Sequence, residues 1–80
     1  MIENPKVGSR YFMIVDIWEV LCPAPVTIIA DEGGGTFTAR WQISEEYFED
    51  YDGTEPRNLF STEAEAVAAI KAEREGADHG

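Results

Sequence analysis

Apolar and polar residues alternate most regularly between Thr36 and Ile43, where Phe37, Ala39, Trp41 and Ile43 are interleaved with Thr36, Thr38, Arg40 and Gln42. A period of two predicts a strand with one face on a core and one in water. Upstream, Val26–Asp31 (VTIIAD) reads as a second strand, and Gly33-Gly34-Gly35 separates the two. Glycine reaches positive φ without steric cost, so these segments predict an antiparallel hairpin. Arg10–Val20 (RYFMIVDIWEV) is rich in β-branched and aromatic residues and apolar on both faces. It predicts a long central strand, bulged near Asp16. Cys22-Pro23-Ala24-Pro25 then reads as a turn or strand edge that stops it, because proline has no amide to donate to a ladder.

The period changes after Phe60. Thr62 stands three residues before Glu65, the spacing of a capping box in which hydroxyl and carboxylate satisfy free amides at a helix start. The Ala-rich run behind it favours a helix over 62–75, with Ala66, Val67 and Ile70 as a narrow apolar stripe for docking. Glu63 and Glu65 near its start, and Lys71 and Arg74 near its end, both suit the helix dipole. Gly76 predicts the stop, with 76–80 as a tail. Residues 1–6 read as a ragged start, Ser44–Pro56 as an acid-rich segment and Arg57–Phe60 as a short closing strand. The whole predicts one α+β domain: an antiparallel sheet of three to five strands over 10–60, or a small, partly open barrel, with one C-terminal helix.

Charge changes this picture more than any motif does. Sixteen acidic residues oppose six basic ones among 80 residues, a formal net charge of −10, while 44% of the chain is hydrophobic. Two Trp, three Tyr and four Phe argue for a folded domain rather than an acidic disordered chain. A domain this small leaves about 40% of its unfolded surface exposed, so stability is marginal, and a homodimer would add burial. A surface this negative repels membranes of like charge and free nucleic acid, and attracts basic partners. Cys22 is the only cysteine, so no intrachain disulfide forms, and a lone thiol fits a reducing cytoplasm. No basic segment followed by an apolar run opens the chain, and the stretch from Tyr11 to Trp18 is too short to span a bilayer.

The acids concentrate in Glu45-Glu46-Tyr47-Phe48-Glu49-Asp50-Tyr51-Asp52-Gly53-Thr54-Glu55, which holds six carboxylates and no base. Carboxylates along a rigid edge can stand in for phosphates, and the interleaved Tyr and Phe supply anchors. The plainer alternative is a solvated loop kept negative for solubility. Asp50-Tyr51-Asp52-Gly53 also resembles part of a calcium loop. Aligned on Gly53, however, that loop would need ligands at Phe48 and Leu59, so the match fails.

Catalytic chemistry finds no constellation. The only histidine, His79, lies beside the C-terminus, so neither a Cys22–His79 pair nor a zinc site is expected. Cys22 reads as a small buried hydrophobe. Gly33-Gly34-Gly35 is followed by no lysine and opens no helix, so it is not a phosphate loop. Trp18 and Trp41 both fall in strand patterns and read as packing residues. Arg40, on the polar side of its strand, is placed to pair with a neighbouring carboxylate. No enzyme, cofactor or metal is expected.

The acidic profile, the length, the strand pattern and the segment EEYFEDYDGTE resemble the small acidic inhibitors of phages and mobile elements, chiefly anti-CRISPR proteins that mimic nucleic acid. Asn58–Ile70 (NLFSTEAEAVAAI) is similar to the end of small phage-encoded SH3-like domains, where a last strand runs into a capped helix. The resemblance implies a non-catalytic inhibitor in the cytoplasm of a bacterial host, seated in the basic groove of a Cas effector complex in place of target DNA. Glu45, Glu46, Glu49, Asp50, Asp52 and Glu55 would then replace phosphates, with Tyr47, Phe48 and Tyr51 as anchors, and Glu63, Glu65, Glu73 and Glu75 would extend the surface. An acidic immunity protein or antitoxin covering a basic nuclease rests on the same physics. A peptide-binding adaptor, its charge serving solubility, is the remaining expectation.

Overall fold

In the computed structural model, which describes Ile2 and residues 4–77, four strands form one antiparallel sheet in the order β1-β2-β3-β4. They are β1 (Arg10–Ile17), β2 (Val20–Gly33), β3 (Thr36–Gln42) and β4 (Phe48–Thr54). A 3-10 turn at Pro56–Asn58 leads to the helix α1 (Glu63–Ala77), which packs against β2 and β1.

The glycine-turn hairpin forms as the pattern predicts. Gly33 pairs with Thr36, which leaves Gly34 and Gly35 as a two-residue loop with φ of +70° and +90°. Both central residues of such a loop need positive φ to match the twist of the flanking strands.

The first hairpin departs from expectation. The predicted strand Arg10–Val20 ends at Ile17, and the chain reverses at Trp18-Glu19, whose φ values are +54° and +67°. Neither residue type favours that region, so the turn carried no signal in the sequence. The predicted stop at Cys22-Pro23-Ala24-Pro25 lies inside β2. The ladder explains how two prolines are accommodated. Phe12 exchanges both of its backbone hydrogen bonds with Phe60, at 2.8 Å each, on the side of β1 away from β2. Its partner Pro25, and Pro23 opposite Ile14, therefore occupy pairs that need no amide from β2 towards β1. Their nitrogens face the β3 side, where the ladder begins only at Val26↔Trp41.

The core lies on the helix-covered face of the sheet. Val26, Ile28, Phe37, Ala39 and Leu59 form one buried cluster, with Ile2, Tyr11, Met13 and Trp41 packed against it. Ala66 and Ile70 bury the helix stripe, but Val67 is 47% exposed and the half-buried Ala69 stands in its place. At about 100° per residue Ala69 lies about 60° to one side of Ala66 and Val67 about 100° to the other, so the buried face is centred near Ala66 and turned towards Ala69, away from Val67.

The cap is close to the expected box. The Glu65 amide donates to Thr62 Oγ1 at 3.1 Å, and the Glu65 carboxylate accepts from the amide of Ser61, one residue before the cap, at 3.3 Å. The helix continues through Gly76 to Ala77, so Gly76 does not stop it. Of the predicted tail, residues 78–80 lie outside the described residues.

The predicted closing strand Arg57–Phe60 is instead the 3-10 turn followed by a single bridge, Phe60 to Phe12. Proline at the head of that segment favours the tight turn. The sheet remains open rather than closing into a barrel. No described helix is long and apolar enough to cross a membrane.

Candidate interaction surface on the edge strand

The acid-rich segment is largely a strand. Ser44 shapes the connection from β3: its hydroxyl accepts from the amides of Glu46 and Tyr47 at 3.4 and 3.2 Å. The carbonyl of Tyr47 in turn accepts from the amides of Ile43 and Ser44. Glu45, Glu46 and Tyr47 project from this turn into solvent. From Phe48 the chain runs as β4, paired to β3 through Gln42↔Phe48, Trp41↔Glu49, Arg40↔Asp50 and Ala39↔Tyr51. In the sheet order β4 is an edge.

Strand alternation divides the candidate residues between two faces. Phe48 and Asp50 share a face with Arg40, whereas Glu49 and Tyr51 share the core-side face with Trp41. The six carboxylates therefore form no single row. Pairing then skips a residue: Ala39 faces Tyr51 and Phe37 faces Thr54, so Thr38 alone stands opposite Asp52 and Gly53. Gly53 takes φ of +70° at this bulge, where a side chain would be strained.

Several of these acids are already engaged within the chain. Asp50 binds Arg40 in a two-pronged contact, Nε to Oδ1 at 2.7 Å and Nη2 to Oδ2 at 3.0 Å. The guanidinium also lies over the Phe48 ring, 3.9 Å from its centre. Hydrogen bonding from Arg40 holds the Asp50 carboxyl below the ordinary range, and the same bond raises Arg40. Glu55 pairs with Arg57. Glu49 Oε2 accepts from the Tyr51 hydroxyl at 3.0 Å. Desolvation, then this hydrogen bond, pushes the Tyr51 phenol up. Asp52 and Glu32 both lie within reach of the buried Thr38 hydroxyl, at 3.2 and 3.3 Å. One hydroxyl has one proton, so it donates to one of them at a time. Glu32 also accepts the Gly53 amide at 2.8 Å, which ties the β2–β3 turn to the β4 bulge.

Glu45, Glu46 and Glu49 are left exposed, with no ion pair among the described residues. Tyr47 and Phe48 beside them are 69% and 49% exposed. Tyr51 is half-buried. The helix acids Glu63, Glu65, Glu73 and Glu75 are exposed on α1, which packs on β1 and β2, so they stand two strands away from β4. No group of three or more potential metal ligands converges among the described residues. His79 lies outside them, and Cys22 is half-buried with its thiol 3.7 Å from the Val20 carbonyl.

Trp18 is the residue that the strand pattern misassigned. It is 93% exposed at the tip of the first hairpin, whereas Trp41 packs against the core as expected. Together with Asp16, Ile43, Glu49 and Tyr51 the two indoles line an open cleft of about 420 Å³. These positions are scattered along the sequence: the β3–β4 pairing joins Trp41 to Glu49 and Tyr51, and the Trp18-Glu19 reversal brings Trp18 to them. No family model, curated protein or solved structure matches this chain.

Proposed function

We propose that this protein is a non-catalytic acidic inhibitor that occupies a basic nucleic-acid-binding site on a partner protein. A Cas effector complex, blocked from its target DNA in the manner of an anti-CRISPR protein, is the partner of first choice. The observation that carries this reading is the edge: the turn into β4 and its first residues present Glu45, Glu46 and Glu49 to solvent beside the exposed Tyr47 and Phe48. The net charge of −10 adds a long-range field that steers a basic surface towards this edge. Asp50 is the least available member of the set, because Arg40 already neutralises it. Glu45, Glu46 and Glu49 therefore carry the mimicry, with Asp52 and Glu55 in support.

The test is capture of a purified Cas effector complex on the immobilised protein, with sodium chloride and competing duplex DNA as variables. Retention at low salt, release by salt and displacement by DNA are expected. The triple reversal Glu45→Lys, Glu46→Lys and Glu49→Lys should abolish retention while the circular dichroism spectrum is unchanged. Retention that survives the reversals, or that salt and DNA leave untouched, counts against the proposal.

A further inference from the structure

The cleft between the first hairpin and the β3–β4 edge has a composition unlike the rest of the surface. The β1–β2 ladder runs on to Ile17↔Val20, whereas β2 pairs with β3 only from Val26 onward. The hairpin thus overhangs the end of β3. Ile17 and Trp18 at its tip, with Asp16 at the rim on the other face of β1, form one wall of the cleft, and Trp41, Ile43, Glu49 and Tyr51 form the other. Three aromatic residues, two isoleucines and, on this face, the carboxylate of Glu49 line the cleft, and no basic residue does. Arg40, the nearest arginine along β3, belongs to the opposite face, where it is paired with Asp50.

We propose that this cleft binds an arginine side chain presented by a basic segment of a partner protein. The occupant follows from complementarity. Aromatic faces carry the negative part of a quadrupole and attract cations, and a nearby carboxylate strengthens the attraction. A guanidinium is flat and weakly hydrated, so it stacks on indole while its N–H groups reach the Glu49 carboxylate at its edge, as an ammonium does not. Anionic ligands are opposed by Glu49 and by the field of the whole domain. An indole that is 93% exposed on a backbone at φ +54° contributes nothing to the core, which leaves it free to act as the upper plate of such a sandwich. The inference goes beyond charge mimicry. It requires a basic partner but not one that binds nucleic acid, and it uses the core-side cleft rather than the acids of the β3–β4 turn.

The experiment is calorimetric titration of the full chain with Gly-Arg-Gly-Arg-Gly, and with the same peptide carrying citrulline, an uncharged near-isostere, in place of arginine. Saturable binding of the arginine peptide is expected, at least tenfold weaker for citrulline. Trp18→Asn should weaken it at least tenfold, and Glu49→Gln severalfold. Asparagine tolerates positive φ, so Trp18→Asn retains the turn, and Glu49→Gln gives an independent reading at the other wall. The double reversal Glu45→Lys and Glu46→Lys should leave peptide affinity within twofold even where it abolishes capture of an effector complex, which separates this proposal from the mimicry. Equal affinity for the citrulline peptide, no binding at millimolar peptide, or full affinity in both cleft variants would overturn it.

Discussion

Arg40 on β3 grips Asp50 on β4 with two parallel hydrogen bonds, 2.7 and 3.0 Å long, while its guanidinium plane covers Phe48 at 3.9 Å. One residue therefore neutralises an acid in the densest acidic stretch of the chain and clamps the edge strand to its neighbour. An exposed ion pair of this kind contributes little to global stability. Its consequence is local.

Arg40→Lys is expected to loosen β4 selectively. Lysine keeps the charge but loses the fork and the flat stacking surface. Amide hydrogen exchange along β4 should accelerate clearly relative to the β1–β2 ladder, with only a small fall in the urea midpoint. Unchanged protection at Asp50 and Tyr51 would show that backbone pairing alone holds the edge.

Two groups on β4 contribute to the pH dependence of stability. Asp50 is held below the ordinary carboxylate range by the Arg40 hydrogen bond. Its contribution is therefore present above the ordinary carboxylate pKa and is lost as pH falls through the lowered folded value. Tyr51 is raised, by desolvation first and by the Glu49 hydrogen bond second. Folding favours its neutral phenol, so that contribution holds below the ordinary tyrosine pKa of about 10 and disappears as pH rises through the raised value. Urea midpoints measured across pH should fall slightly less on the acid side in Asp50→Asn and slightly less on the alkaline side in Tyr51→Phe than in the parent chain.

The helix stripe and the sheet core should respond unequally to substitution. Ile28→Ala removes a fully buried side chain from the centre of the cluster and should cost about 2–5 kcal/mol. Ala66→Leu overfills a position with no exposure and should cost about 1–3 kcal/mol. Val67→Lys, on the solvent side of the same helix, should stay within about 0.5 kcal/mol. Denaturant unfolding of the three variants checks the assignment of the face. A large loss at Val67 would mean that the helix buries another stripe.

Glu19→Gly should stabilise the first hairpin. A left-handed backbone costs an L-residue roughly 1–2 kcal/mol, and Glu19 sits at φ +67°. Glycine removes that strain but loses more entropy on folding, so a gain of up to about 1 kcal/mol is expected in the urea midpoint.

The sequence by itself determined the elements whose signal is local. The alternation over Thr36–Ile43, the glycine loop and the Thr62–Glu65 cap each specify their structure through neighbouring residues, and each formed with small shifts at the ends. The composition also stated the sign of the surface before any strand was placed. Tertiary structure decided what depends on distant partners. Pro23 and Pro25 lie within a strand because Phe12 spends its hydrogen bonds on Phe60, 48 residues along the chain, rather than on β2. The acidic segment became an edge strand because β3 offered it a ladder, although its composition is poor for a strand. That pairing sent Asp50 to Arg40 and Glu49 to the opposite face. Trp18 left the strand pattern because the reversal fell on two residues with no preference for a turn, and so came to stand across a cleft from Trp41. Local propensity reports only what a residue does with its near neighbours, whereas register, face and exposure are set by which strands meet.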